Sequence, residues 1–218
     1  MTKNVKRTAR RTSASRKPSS APPTAKARAP LAQALAAFAR IAAHQRLRWY
    51  VFGAQAVALH GYPRATADLD ITIDLEDRDP RAFVRALSRA GFKPRFADPA
   101  FIAATRVIPV THRASQLPID LVLAGPGLEQ QFLARSRPHR IARHDIPVLI
   151  VEDLIVTKLL AGRPKDLQDI RELLVASRNI DHASIDTLLA AIEEALDQRD
   201  LRPRYAQLRA ESRRYRRD

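Results

Sequence analysis

Apolar and polar residues alternate strictly from residue 68 to residue 74 (DLDITID), a pattern that predicts a β-strand. Leu69, Ile71 and Ile73 fall on one face of this strand, which is expected to be buried. The other face is polar along its whole length: Asp68, Asp70, Thr72 and Asp74. A face with three carboxylates makes this strand the first candidate for a functional site.

Apolar residues that recur at steps of three or four predict helices in much of the remaining chain. The predicted helices cover residues 31–46, 54–60, 80–90, 128–135, 151–161, 164–176, 183–197 and 202–214. Short apolar runs predict further strands over residues 48–52, 105–111, 118–123 and 146–150. Because the strands end where the last four helices begin, an α+β fold is expected, with a mixed first half followed by an α-helical half.

The net charge of +15 is concentrated at the two ends of the chain. Residues 1–29 carry nine Lys and Arg and no acid, and residues 199–218 carry eight Arg and three acids. We therefore divide the chain into a disordered basic tail (1–29), an α/β domain (30–150), a helical part (151–198) and a basic C-terminal helix or tail (199–218). Basic tails attract polyanions such as RNA irrespective of sequence.

Composition excludes several classes of protein. The chain has no cysteine, which excludes disulfides and cysteine-based zinc sites. No apolar run approaches the roughly 20 residues that cross a bilayer, and no hydrophobic signal core follows the basic start. A soluble cytoplasmic protein with no membrane partner is therefore expected.

Asp68 and Asp70 are candidate metal ligands, because residues two apart on a strand share a face, with Cα atoms roughly 6.6 Å apart. Two carboxylates at that spacing can hold a pair of divalent ions, which lie about 3.5–4 Å apart. Asp120 is a third candidate, since a carboxylate within the apolar run PIDLVL is unfavourable unless it is paired or metal-bound. Asp74 lies roughly 13 Å from Asp70 along the strand and is predicted to be a solvent-exposed strand end.

Gly53 and Ala54 lie where a predicted strand ends and a helix begins, a position at which backbone N–H groups can bind phosphate. Arg64 and Thr66 precede the aspartate strand and are candidate contacts to phosphate or base, with solvation of a loop as the alternative. Trp49, beside a predicted strand, is interpreted as a core residue.

Three separated motifs in this order resemble the nucleotidyltransferase superfamily: Gly53-Ala54, Asp68-Leu69-Asp70 within DLDI, and Asp120 within PIDLVL. The later segment VEDLIVTKLLAGRPKDLQDIRELL resembles the AbiEii-type members, known as abortive-infection and toxin–antitoxin effectors. The resemblance covers about residues 48–175. The family usually has Ser or Gly where this chain has Ala54, so a hydroxyl contact to the phosphates is missing here.

The resemblance implies a mixed β-sheet with flanking helices and a site for two Mg²⁺ ions. Asp68 and Asp70 would bind both ions, and Asp120 would complete the acceptor-side ion and favour deprotonation of the acceptor hydroxyl. The Gly53-Ala54 turn would present N–H groups to the β- and γ-phosphates of an NTP.

Lys158 lies among apolar residues of the helix predicted over residues 151–161. The resemblance implies that it reaches the triphosphate; a lysine that extends to solvent along the edge of an apolar face is the alternative. Lys165 is a further candidate phosphate ligand, and Asp166 and Asp169 are secondary site candidates on one helical face. A structural interpretation of this group is also open, because Asp166 complements the N-terminal dipole of its helix.

The function inferred from the sequence is transfer of a nucleoside monophosphate from an NTP to a hydroxyl of RNA, such as tRNA, or of a protein, with Mg²⁺ as cofactor. The AbiEii resemblance adds a toxin role with an antitoxin protein as partner. Two alternatives remain: a non-catalytic nucleotide- or RNA-binding module of the same fold, suggested by Ala54, and a metal-dependent nuclease that uses the same carboxylates.

Overall fold

The aspartate strand lies at the centre of a mixed sheet. In the computed structural model, which describes residues 25–62, 66, 68–96 and 98–215, seven strands form this sheet. They are β1 (Arg48–Phe52), β2 (Leu69–Asp74), β3 (Phe92–Pro94), β4 (Val107–His112), β5 (Leu117–Leu123), β6 (Arg137–Ile141) and β7 (His144–Val148). Their order across the sheet is β3-β4-β5-β2-β1-β7-β6, so β2 has three strands on each side.

Two pairs of neighbouring strands are parallel, β2 with β5 and β1 with β7, and the others are antiparallel. Parallel neighbours need a long crossover connection, and helices supply part of it here. The helices in the described residues are α1 (Ala25–His44), α2 (Gly53–Leu59), α3 (Pro80–Arg89), α4 (Pro99–Thr105), α5 (Leu128–Arg135), α6 (Val151–Ala161), α7 (Pro164–Ala176), α8 (His182–Leu196) and α9 (Leu201–Tyr215).

The structure confirms the predicted α+β class with its mixed sheet, flanking helices and helical C-terminal half. Three short elements, β3, α4 and β6, were not predicted from the sequence. Helix α1 begins at Ala25 rather than at residue 31, so residues 25–29 belong to a helix. Residues 1–24 of the predicted basic tail lie outside the described residues.

Helix α1 covers the sheet through aromatic contacts. The Phe38 ring lies 5.0 Å from the ring of Trp49 on β1 and 6.2 Å from the ring of Phe92 on β3, edge to face in both cases. Trp49 is 9% exposed, which confirms its interpretation as a core residue. Among the described residues, no helix is both long enough and apolar enough to cross a bilayer.

The prediction that Asp74 is a solvent-exposed strand end is wrong. Asp74 is only 5% exposed, and its carboxylate accepts hydrogen bonds from the Arg48 guanidinium, from Gln130 Nε2 at 3.2 Å and from the backbone N–H of Glu76 at 3.0 Å. Burial opposes ionisation, but these donors hold the pKa of Asp74 below its ordinary value. Its role is to fix the end of β2 against β1 and α5.

The basic helix α9 is packed into the protein. Its buried apolar side chains lie at steps of four and three residues: Leu201, Tyr205 and Leu208. Arg202 Nε donates to Glu193 of α8 at 2.7 Å, and Arg171 Nε of α7 donates to Glu211 of α9 at 2.9 Å. Helix α9 therefore belongs to the same hydrophobic core as the sheet and the other helices.

We expect Leu208→Ala to lower the free energy of unfolding by about 2–5 kcal/mol, because the Leu208 side chain is only 2% exposed and its removal leaves a cavity in the core. Leu196→Ala is the matched control, since Leu196 is 54% exposed, and it should change stability by less than about 1 kcal/mol. Urea denaturation followed by circular dichroism measures both values. Equal, small losses in the two variants would show that α9 is not part of the folded core.

A buried carboxylate lies in the first turn of α6. Asp153 is 0% exposed, and neither of its oxygens accepts a hydrogen bond within the described part of the chain. Burial raises the pKa of Asp153 to about 6; Arg135, whose Nη2 is 3.3 Å from Oδ1, opposes this rise, and Glu152 adds to it. The folded protein therefore binds a proton at Asp153 more tightly than the unfolded chain does.

The pKa of Asp153 is raised on folding. The stability that protonated Asp153 allows is therefore fully present below its pKa in the unfolded chain, about 3.9, and is lost as the pH rises through about 6. Asp153→Asn, which mimics the protonated form, should therefore gain about 2–3 kcal/mol of stability over the wild type between about pH 4 and pH 7. Denaturation curves across this pH range measure the difference. Asp77→Asn, at an exposed aspartate, is the control. If the free energy of unfolding depends on pH in the same way in Asp153→Asn and in the wild type, the prediction is wrong.

Candidate active site

The glycine turn and the aspartate strand are in direct contact. Gly53 is the first residue of α2 and has φ +68°, in the left-handed region that glycine adopts readily. A Cβ added at Gly53 would lie 1.9 Å from Asp70 Oδ2 and 3.0 Å from Asp70 Cβ. Any other residue would therefore displace the Asp70 carboxylate, and the predicted phosphate-binding turn, Gly53-Ala54, lies next to a predicted metal ligand.

Asp70 interacts electrostatically with the two other predicted carboxylates, Asp68 and Asp120. Asp70 on β2 and Asp120 on β5 are paired residues of parallel strands, so their side chains share a face, with strands roughly 4.8 Å apart. Asp68 is exposed and lies just before β2. Burial raises the pKa of Asp70, and the negative charges of Asp120 and Asp68 raise it further, whereas Lys158 and Lys165 lower it.

Asp120 has a partner that the sequence did not reveal. The guanidinium of Arg95, which follows β3, donates to Asp120 Oδ1, and its Nη2 is also 3.5 Å from the carbonyl oxygen of Ile119. Arg95 is fixed in turn by its backbone N–H, which donates to the carbonyl oxygen of Pro109 at 2.8 Å. No motif marks Arg95, because a strand of three residues has no recognisable period.

Lys158 lies in a buried ionic network. Its Nζ donates to Asp169 Oδ2 at 2.6 Å and to Asp166 Oδ1 at 3.4 Å, and its side chain is 7% exposed. Arg163 donates to Asp166 through Nε at 2.5 Å and through Nη2 at 3.2 Å. Burial opposes ionisation of Asp166, but Arg163 and Lys158 hold its pKa below the ordinary value. The alternative of a lysine that extends to solvent is therefore wrong, and the lysine joins α6 to α7.

The remaining predicted residues lie around this cluster. Lys165 at the start of α7 is exposed, and its charge acts on Asp70. Thr66 Oγ1 accepts a hydrogen bond from the backbone N–H of Asp68 at 3.4 Å, which places the hydroxyl beside the aspartate strand. Ala54 is the second residue of α2 and is half-buried. Arg64 lies outside the described residues.

Residues 31–217 match the model of a protein family described as nucleotidyltransferases of unknown function, DUF6036. The chain belongs to this nucleotidyltransferase family. The match does not distinguish the AbiEii type, so that finer assignment stays a prediction from the sequence. No curated protein matches the chain significantly.

Solved structures share the fold of this nucleotidyltransferase-family protein at low sequence identity. An antigenic nucleotidyltransferase-like protein from Paracoccidioides brasiliensis is 16% identical to this chain, with a TM-score of 0.50. The match covers 85% of this chain and 95% of that protein's chain. The antibiotic-resistance factor ANT(2'')-Ia is 15% identical to this chain, with a TM-score of 0.52. The match covers 84% of this chain and 97% of that protein's chain. These similarities show a nucleotidyltransferase-like fold.

The candidate aspartates provide carboxylate oxygens, which are suitable ligands for a hard divalent cation. Carboxylate oxygens are the ligands that Mg²⁺ prefers, and a bound cation would oppose both the burial and the repulsion from Asp120 and Asp68 that raise the pKa of Asp70. Within the described residues, however, no three His, Asp or Glu side chains are grouped closely enough to hold a metal ion. Because Arg95 pairs with Asp120, we expect metal binding to require a change in this ion pair.

We expect Gly53→Ala to weaken Mn²⁺ binding at least about tenfold, because the new methyl group would displace the Asp70 carboxylate. Mn²⁺ serves as a spectroscopic substitute for Mg²⁺, and electron paramagnetic resonance measures the free ion. Gly61→Ala is the matched control, since Gly61 also has a positive φ, +103°, but nothing lies within 4 Å of an added Cβ. If both variants bind Mn²⁺ as the wild type does, Asp70 is not a metal ligand.

Proposed function

We propose that the protein is an enzyme that transfers a nucleoside monophosphate from an NTP to a hydroxyl group. The observation that carries this proposal is the pairing of Asp70 with Asp120 on parallel strands, with Gly53 packed against the Asp70 carboxylate. Membership of a nucleotidyltransferase family supports the class of reaction. We assign the catalytic role in this transfer to Asp68, Asp70 and Asp120.

The transfer exchanges one phosphorus–oxygen bond for another. The acceptor oxygen forms a bond to the α-phosphorus, the bond from the α-phosphorus to the bridging oxygen breaks, and pyrophosphate leaves with the bonding electrons. We assign the proton of the acceptor hydroxyl to Asp120, because the change in its ion pair with Arg95 that metal binding requires would free lone pairs of the carboxylate. Mg²⁺ held by Asp68, Asp70 and Asp120 would supply charge stabilisation to the attacking and leaving oxygens.

Phosphate binding is assigned to groups that remain available at the site. The N–H groups of Gly53 and Ala54 belong to the first turn of α2, where they have no partner within the helix. Lys165 is exposed and close enough to Asp70 to lower its pKa, so it is the lysine that we assign to the phosphates. Lys158 is a positioning residue in this proposal, since two carboxylates balance its charge.

The acceptor that we favour is a hydroxyl of RNA such as tRNA, with a protein hydroxyl as the alternative. The basic ends of the chain support a polyanionic acceptor, because Lys and Arg side chains contact phosphates without sequence preference. A toxin role with an antitoxin partner is supported by the resemblance of residues 151–174 to the AbiEii-type proteins.

We expect Asp70→Asn to lower the rate of label transfer at least about a hundredfold, because the charge that holds the cation is lost. The assay incubates the protein with α-labelled NTPs, Mg²⁺ and total RNA or cell lysate, and measures the labelled macromolecule. Asp145→Asn is the control, since Asp145 is a 63% exposed aspartate paired with Arg140 on the outer strands, and it should keep wild-type activity.

The products distinguish the functions that share this site. Labelled RNA from the wild type but not from Asp70→Asn supports transfer to RNA, and labelled protein supports the alternative acceptor. Equal labelling by the wild type and by Asp70→Asn contradicts the catalytic assignment. Bound NTP without turnover identifies a binding module, and RNA that is shortened rather than labelled identifies a nuclease.

A further inference from the structure

A small cavity lies between the end of α7, the loop that follows it and α9. Its volume is about 50 Å³, which exceeds the roughly 10–15 Å³ that one water molecule needs. We call it the arginine pocket, because Arg178, Arg209 and Arg213 line it together with Ser177, His182 and Ser212. Three arginines and no acid line it, so its electrostatic character is strongly positive.

The three arginines have no acidic partner in the part of the chain that the structure describes. Arg209 and Arg213 lie four residues apart on α9, a spacing at which like charges repel. Arg209 Nε is buried and has no hydrogen-bond acceptor there. Glu211, the nearest acid on α9 in sequence, already accepts hydrogen bonds from Arg171 and Gln207. A buried donor without an acceptor, on a cavity that two exposed arginines also line, is suited to bind an anion.

We propose that the arginine pocket binds a phosphate group, either as free inorganic phosphate or as the terminal phosphate of a nucleotide. Guanidinium groups match the oxygens of phosphate through paired hydrogen bonds, and an anion there would accept from Arg209 Nε. The site is distinct from the carboxylate cluster: α7 begins beside Asp70 at Lys165 and ends at the pocket, about 20 Å away for a helix of 13 residues.

Isothermal titration of the full chain with sodium phosphate, at constant ionic strength maintained with sodium chloride, tests the proposal. We expect Arg209→Gln and Arg213→Gln each to weaken phosphate binding about tenfold or more relative to the wild type, because each removes a charged donor. Arg204→Gln is the matched control, since Arg204 lies on the same helix but pairs with Asp200 outside the pocket, and it should bind as the wild type does. A parallel titration with AMP distinguishes the two sources of the phosphate group.

Two outcomes would overturn the proposal. The first is no phosphate binding by the wild type. The second is equal weakening in Arg204→Gln and Arg213→Gln, which would indicate diffuse charge attraction. Arg213 and Arg178 are exposed, so Arg213→Gln and Arg178→Gln keep the test decisive if Arg209→Gln does not fold. Asp70→Asn should bind phosphate in this pocket unchanged. The test of phosphate binding in the arginine pocket is therefore independent of the test of nucleotidyl transfer.

Discussion

The contact between Gly53 and the Asp70 carboxylate constrains the structure around it. The antiparallel pairing of β1 with β2 brings the end of β1 beside Asp70, so the chain must turn into α2 with no side chain at that point. A positive φ at Gly53 makes this turn without a clash. Parallel pairing of β2 with β5 then places Asp120 next to Asp70. One glycine thus determines both the position of the carboxylate and the start of the helix beside it.

The two helices beside this site, α6 and α7, are joined to each other through buried charges as well as through apolar contacts. Lys158 of α6 bonds to Asp166 and Asp169 of α7, and all three side chains are at most 7% exposed. Buried ion pairs contribute little net stability compared with apolar packing, but loss of one partner leaves an unpaired buried charge. Such a network therefore fixes geometry, here the start of α7 beside Asp70, more than it adds to the free energy of folding.

The parts of the molecule that sequence could predict are those with a local signal. The alternation from Asp68 to Asp74 and the helical periods of α6 and α7 depend on neighbouring residues only, and those elements formed nearly where predicted. Strand β3 and the Arg95–Asp120 pair depend on contacts between residues distant in sequence, for which the chain carries no local pattern. Asp74 was wrongly placed in solvent for the same reason, because Arg48 and Gln130 approach it through the fold.

The high positive charge of the chain and its acidic candidate site are compatible because the charges are spatially separated. Many arginines of the described residues are balanced by acids, as Arg163, Arg171 and Arg202 are. The unbalanced ones in the arginine pocket lie a helix length from Asp70, about 20 Å, whereas salt screens exposed charges beyond roughly 8–10 Å. An anion in that pocket would therefore leave the carboxylate cluster electrostatically unchanged. Control of the cluster falls instead to the residues that touch it, with Arg95 at Asp120 as the first of them.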